Sequence, residues 1–327
     1  MVGKIIVALD GSETAEQALP IAAGLARRAG GSLRLMHALD YVRTDYANCH
    51  ESPEWWRENT YDLALRYLRQ VAAQVMDTLH VPAEITLIEA DAPAVLLRSA
   101  EAQHADLTVM TTHGRGPVKR FWLGSVADQV IREAGHPVLI IPASTNPQSV
   151  RDDRPFTHML VPLDGSQVAE SVLHHAAHLA SSECARVSLV RVAHAPLVHA
   201  LGSAAPVGDA SADARHYLTD RCHALQWMAR EVTCASLSGI SPIAAQIVDY
   251  ANTHEVDIIA LSTHGHGGMH RLLLGSVADK IIRASHVPVL VVTNRNDEAV
   301  REHNSRFGGH HVSTQLNSSH DRSNGRM

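Results

Sequence analysis

Residues Thr112-His-Gly-Arg-Gly-Pro-Val-Lys-Arg-Phe-Trp-Leu-Gly-Ser-Val-Ala-Asp128 return without a gap as Thr263-His-Gly-His-Gly-Gly-Met-His-Arg-Leu-Leu-Leu-Gly-Ser-Val-Ala-Asp279. The agreement continues downstream, Ile131-Arg132 with Ile282-Arg283 and Pro137-Val-Leu139 with Pro288-Val-Leu290. Upstream, Ile6-Val-Ala-Leu-Asp-Gly-Ser12 matches Leu160-Val-Pro-Leu-Asp-Gly-Ser166. Self-similarity over this length marks one domain present twice. A chain of 327 residues suits two domains of ordinary size. The expected boundaries are 1–143 for the first domain, 144–156 for a polar, proline-bounded linker and 157–294 for the second domain. Residues 295–327 are rich in Ser, Asn, His and Arg, with Val300, Phe307, Val312, Leu316 and Met327 as the large apolar residues. So little burial cannot offset chain entropy, and this tail is predicted to be disordered and dispensable for folding.

The first unit alternates strand and helix. Lys4–Leu9 is a short apolar run ended by Asp10-Gly11-Ser12, which caps a helix with Ala15, Ala18, Leu19, Ala22 and Ala23 inward. Ser32–Leu39 is the second strand, and Asp62–Leu79 an amphipathic helix with Leu65, Leu68, Ala72, Val75 and Leu79 at helical spacing. Glu84–Glu89, Asp106–Thr111 and Pro137–Ile141 read as strands, Ala94–Gln103 and Ser125–Glu133 as helices. Trp55-Trp56, in the irregular stretch 40–60, are expected to pack into a core. The fold class is therefore α/β: two tandem doubly wound, Rossmann-like domains, each a five-stranded parallel sheet with helices on both faces. Ligands of such sheets sit beyond the C-terminal strand ends, where the strand order reverses. Asp10 and the Thr111–Gly116 loop both fall there.

The strongest local signal is Gly114, nine residues, then Gly124-Ser125, repeated as Gly265, nine residues, then Gly275-Ser276. Glycine lets a backbone approach a ligand closely. A helix opening at Gly124-Ser125 offers amides without internal partners and a dipole that favours an anion. The competing reading is stability alone, since Ser125-Val-Ala-Asp128 and Ser276-Val-Ala-Asp279 also spell capping boxes. Two glycine sites at fixed spacing in both repeats tilt the balance to an anion site. Arg120 and Arg271 hold equivalent loop positions, as solvated arginines or as forked donors to a terminal phosphate.

These residues resemble the universal stress protein pattern of a small residue, two residues, Gly, nine residues, then Gly-Ser or Gly-Thr. Here it reads Thr111-x-x-Gly114-x9-Gly124-Ser125 and Ser262-x-x-Gly265-x9-Gly275-Ser276. The resemblance implies a five-stranded sheet, pairing of domains and, in many members, ATP or AMP binding. By position it assigns Asp10 and Asp164, with Ser12 and Ser166 in the same turns, to the adenosine end. Ala38 and Val192 would wall the base. Thr112, His113, Gly114 and Arg115, with Thr263, His264, Gly265 and His266, would wrap ribose and phosphates. Gly124, Ser125 and Val126, with Gly275, Ser276 and Val277, would bind the phosphate chain, with Mg²⁺ accompanying it. One departure is that Thr111 and Ser262 stand where the family has its first glycine. The smaller Ser262 and the freer Gly267-Gly268, against Gly116-Pro117, favour the second site. The resemblance also implies an internal pseudo-dimer through Pro137–Ile141 and Pro288–Val292, with a homodimer of chains as a further level.

Composition narrows the function classes. A formal charge of -6 argues against nucleic-acid partners. No apolar run approaches the roughly 20 residues of a membrane span, and the N-terminus carries no signal-peptide pattern. Four cysteines without a C-x-x-C pair fit reduced thiols in the cytoplasm. Among 23 histidines, His174 and His178 stand one helical turn apart, but no spaced four-ligand metal set forms. A phosphate-binding G-x-x-x-x-G-K-[ST] loop, a G-x-S-x-G elbow and an H-E-x-x-H helix are all missing from the sequence. The expectation is an adenine-nucleotide binder acting in stress response through sensing or protein partners, with no catalytic residues. A slow ATPase or a nucleotidyl- or phosphoryl-transfer enzyme on the same fold, and a degenerate scaffold, stay open as alternatives.

Overall fold

The computed structural model describes residues 3–39, 53–112, 123–145, 156–193, 207–264 and 274–294. The first half comprises β1 (Lys4–Leu9), α1 (Glu13–Glu16), α2 (Ala18–Ala29), β2 (Ser32–Leu39), α3 (Pro53–Thr78), β3 (Ala83–Glu89), α4 (Ala92–Ala102), β4 (Leu107–Thr111), α5 (Ser125–Glu133) and β5 (Val138–Ile141). The second half repeats it as β6 (His158–Pro162), α6 (Gln167–Glu170), α7 (Val172–Glu183), β7 (Arg186–Val192), α8 (Val207–Leu225), β8 (Glu231–Leu237), α9 (Ile243–Thr253), β9 (Ile258–His264), α10 (Ser276–Ala284) and β10 (Val289–Asn294).

The strands form one ten-stranded sheet in the order β3-β2-β1-β4-β5-β10-β9-β6-β7-β8. Within each half all pairings are parallel, because every strand is followed by a helix that must cross back over the sheet. Among the described residues β5 and β10 alone run antiparallel, with Leu139 opposite Leu290. These two leucines correspond in the repeat, so a pseudo-twofold axis passes through their pair. The inner strands are apolar on both faces, as burial under two helical layers demands: β5 reads Val-Leu-Ile-Ile and is buried throughout. One apolar layer joins β-strand residues to α2, α3, α7 and α8, the other to α4, α5, α9 and α10. Each layer runs across both halves without a break, and residues 1–295 form one compact unit.

Two sequence readings need correction. α3 starts at Pro53, nine residues ahead of the expected Asp62, and Trp55 lies in it half exposed rather than packed in a core. Its first two turns lack the apolar period that marks Leu68, Ala72 and Val75, all buried. The capping boxes are also misread. Gly124 and Gly275, not the serines, are the N-caps of α5 and α10, and neither helix has a side-chain cap. Asp128 and Asp279 instead grip Arg132 and Arg283 one turn along, at 2.8–2.9 Å. The tail 295–327 and most of the linker lie outside the described residues.

Contacts across the pseudo-twofold axis lie on both sheet faces. On one, Arg28 at the end of α2 donates to the Ser182 carbonyl and pairs at 3.1 Å with Glu183, whose side chain is 1% exposed. On the other, the Thr293 hydroxyl donates to the carbonyl of Ile131 in α5 at 2.7 Å.

Candidate functional site

In each half the central parallel pair, β1–β4 and β6–β9, feeds helices on opposite faces of the sheet. The loops leaving these neighbours therefore diverge and leave a crevice at the C-terminal edge. One wall is the turn after β1. Asp10 accepts from the Ser12 amide at 3.0 Å and its hydroxyl at 2.6 Å, while Ser12 Oγ caps α1 by accepting from Ala15 N at 3.1 Å. Asp164 and Ser166 repeat this turn, the Ser166 amide donating at 2.8 Å and its hydroxyl capping α6. Gly11 and Gly165 turn the chain at φ 82° and 91°, a conformation that suits glycine. Partial burial works against the Asp164 charge. Hydrogen bonds from Ser166 and the nearby Arg191 guanidinium outweigh it and hold this carboxyl below its usual range.

The opposite wall begins where β4 ends. Thr112 N donates to Ile141 O at 3.0 Å, and its own carbonyl accepts from Gly124 N at 2.7 Å. That bond brings the start of α5 back onto the end of β4. A Cβ on Gly124 would sit 2.9 Å from the Thr112 oxygen, so the close approach itself requires glycine here. The helix start beyond it carries Ser125, exposed, and Val126, half-buried against the same apolar layer as α4. At α10, Gly275 is likewise the N-cap, Ser276 is exposed and Val277 is half-buried in that layer.

Ala38 and Val192 stand half-buried near the ends of β2 and β7. Val192 faces the apolar layer shared by Val126 and Val277, and Ala38, two residues after Met36, projects to that same face. The structure thus gathers Asp10, Ser12, Ala38, Gly124, Ser125 and Val126 at one edge, and Asp164, Ser166, Val192, Gly275, Ser276 and Val277 at its counterpart. Thr112 and Thr263 lie at the same strand ends, but their side chains are buried. The Thr112 hydroxyl accepts from Ala143 N at 3.3 Å, and that of Thr263 lies 3.5 Å from Thr293 Oγ1. Both hydroxyls thus have protein partners. His113, Gly114, Arg115, Gly265 and His266 lie outside the described residues, as do Arg120 and Arg271, and His264 is described only as the end of β9.

One residue at the second edge was not foreseen. Arg191 lies 5.0 Å over the Tyr217 ring and 3.2 Å from where a Gly165 Cβ would stand. Its only sequence signal is a charge in the second-last position of a strand whose other charge, Arg186, stands at the opposite end. The first half has His37 in this register, edge-on to Tyr67. Ser262 is likewise engaged, its hydroxyl 2.8 Å from that of Ser171 at the α6–α7 junction. Among the described residues no group of three or more His, Cys, Asp or Glu converges as a metal site, and no helix is long and apolar enough to cross a membrane.

Two doubly wound halves joined edge to edge, each with a glycine-capped helix and an Asp-x-Ser turn at its C-terminal edge, define a tandem Rossmann-like α/β protein. The universal stress protein family model matches residues 1–142 and again 155–293, and the chain belongs to that family. A universal stress protein of Mycobacterium tuberculosis is 29% identical over 197 residues, 58% of this chain and 62% of that protein's length. One from Thermus aquaticus is 35% identical over 138 residues, covering 42% of this chain and 96% of its own. The crystal structure of a universal stress protein from Archaeoglobus fulgidus shares the fold with a TM-score of 0.69 at 19% identity, over 90% of this chain and 99% of that one.

Proposed function

We propose that the chain binds an adenine nucleotide, ATP or AMP, at the C-terminal edge of its halves and acts in a stress response by sensing or holding it. The observation that carries this reading is the start of α5 and of α10. Both helices open on glycine without a side-chain cap, and the positive end of each helix dipole lies beside the strand ends, where it favours an anion. Gly124–Val126 and Gly275–Val277 would hold the phosphates, with Mg²⁺ entering alongside them. Asp10 and Asp164 would meet the adenosine end, and Ala38 and Val192 the base. In this reading the action is passed to protein partners in the cytoplasm rather than through turnover.

Mass spectrometry of small molecules released from freshly purified, denatured protein tests the reading directly. ATP or AMP recovered near stoichiometry supports it. Calorimetric titration of Ser125→Glu and Ser276→Glu follows. A carboxylate in the first helical turn is tolerated by the fold but repels a phosphate. Each change should cut affinity for ATP at its own half about tenfold or more while circular dichroism is unchanged, a loss of about 1.4 kcal/mol. ATP turnover well above background would instead indicate an enzyme, and absence of both bound nucleotide and a thermal shift with ATP a scaffold.

A further inference from the structure

In the second half α8 covers β7 and β8, and Cys222 sits in that apolar layer, buried. Cys234 lies on β8 opposite Leu189 of β7. Residues in register on neighbouring parallel strands point to the same face. Leu189 belongs to the layer that holds Cys222, as does Val232, two residues before Cys234, whereas Ala235 packs on the other face. Cys234 therefore projects toward α8, to the side on which Cys222 lies, close enough for the two thiols to interact. Cys234 is exposed, because β8 is the last strand of the sheet.

The first half shows what packing alone requires at this place. Tyr67-Leu68 of α3 and Leu35 of β2 correspond to Tyr217-Leu218 of α8 and Leu189 of β7. By the same count, Ala72 stands for Cys222, and Ile85, which pairs with Leu35, stands for Cys234. Alanine and isoleucine fill the space with hydrocarbon. Two thiols facing each other are a departure that packing does not explain.

We propose that Cys222 and Cys234 form a dithiol modification site, closed to a disulfide by a hydroperoxide and reopened by a cellular thiol. The exposed Cys234 reacts first: its thiolate attacks one peroxide oxygen, the O–O bond breaks, and an alcohol or water leaves, so that Cys234 becomes a sulfenic acid. The Cys222 sulfur then attacks the Cys234 sulfur, its proton passes to the departing oxygen, and water is released. In sum, two thiols and one hydroperoxide give one disulfide, one alcohol or water, and one further water. Burial, followed by the neighbouring Cys234 thiol, pushes the Cys222 thiol up to about 12, so Cys222 is not the thiol that meets the peroxide first. Closure ties α8 to the terminal strand of the sheet. This site is independent of the proposed nucleotide edge.

The test uses the full chain, treated with hydrogen peroxide, alkylated, and digested with trypsin without reduction. Trypsin cuts after Arg221 and after Arg230, so the two cysteines fall in separate peptides. The expected product is the peptide 222–230 joined to the one that begins at Glu231, two hydrogens lighter than their sum and separated again by dithiothreitol. In Cys234→Ser, Cys222 should stay alkylatable after the same dose. Recovery of Cys234 as sulfinic or sulfonic acid with Cys222 still a free thiol would overturn the proposal. So would oxidation of Cys222 at an unchanged rate in Cys234→Ser.

Discussion

The hydroxyl of Thr293, on the last strand of the second half, donates at 2.7 Å to the carbonyl of Ile131 in the first half. A hydroxyl carries one proton, so the Thr263 hydroxyl, 3.5 Å away, is the donor in its contact with Thr293. A hydrogen-bonded line thus leads from the end of β9 at one candidate edge to the helix that begins at the other. Thr293→Val keeps the shape and removes the proton, leaving a buried carbonyl short of a partner. The expected cost is about 1–3 kcal/mol of unfolding free energy, read as a lower denaturation midpoint. An unchanged midpoint would show that this bond contributes nothing.

Arg28 and Glu183 hold the other face of the same junction. Glu183 is almost wholly enclosed, so Arg28→Ala takes a cationic partner from a buried carboxylate, whereas Arg28→Lys keeps the charge but loses the fork. We expect Arg28→Ala to cost on the order of 2–4 kcal/mol in chemical denaturation and Arg28→Lys to cost less. Equal losses for the two variants would assign the effect to the geometry of the guanidinium rather than to its charge.

Acid should destabilise the protein through two half-hidden histidines. Burial lowers His136, whose Nε2 lies 2.7 Å from Thr108 Oγ1, to about 4. Burial, then the neighbouring His174 and His178, lowers His175 to about 4 as well. Both pKa values lie below the ordinary 6.5, so the folded protein favours the neutral ring. Their stabilisation is complete above pH 6.5 and declines as pH falls toward 4, by at most about 1.4 kcal/mol per pH unit for each ring. His136→Gln should flatten this acid limb in a pH series of thermal melts. A slope identical to wild type would remove His136 from the account.

Gly30 ends α2 in the left-handed conformation at φ 64°, and Cys184 ends α7 in the same conformation at φ 52°. A side chain is disfavoured there and glycine is not. Cys184→Gly should therefore raise stability by about 0.5–1 kcal/mol, seen as a higher urea midpoint. A lower midpoint would mean that the cysteine side chain makes compensating contacts.

The two candidate nucleotide edges should differ. Ser262 is smaller than Thr111, and the second edge adds Arg191 beside Asp164, where the first has His37. ATP is expected to bind the second half more tightly, so Ser276→Glu should reduce total binding more than Ser125→Glu in the same titration. Equal losses would refute the asymmetry.

Much of this architecture is written in local pattern. β1 and β2 run over the residues their apolar stretches mark out, and α5 covers the expected Ser125–Glu133. Each is bounded by a turn residue and buried on a predictable face. The misreadings arise where two local codes coincide or where none applies. Ser-Val-Ala-Asp fits a capping box, yet the Gly124–Thr112 bond moves the cap back by one residue, and that bond joins segments apart in sequence. The first turns of α3 expose Trp55 and Glu58, so no hydrophobic period announces them. For the candidate edges, glycine spacing pointed to Gly124 and Gly275, but Arg191 needed the packing of α8 on β7 to acquire a place. Arg28–Glu183 and Thr293–Ile131 were invisible for a simpler reason: no pattern in one repeat names its neighbour in the other.

The meeting of β5 with β10, Leu139 opposite Leu290, lies within one polypeptide. Its formation is first-order, so dilution cannot separate the halves as it would dissociate a pair of independent chains. It also lifts a constraint on sequence drift. In a symmetric pair of identical chains, any residue on the axis confronts its own copy, and an arginine there would face an arginine. Here Arg28 confronts Ser182 and Glu183 instead. A mutation on one side can be answered on the other without being felt twice, which leaves each half free to diverge while its neighbour keeps the older role.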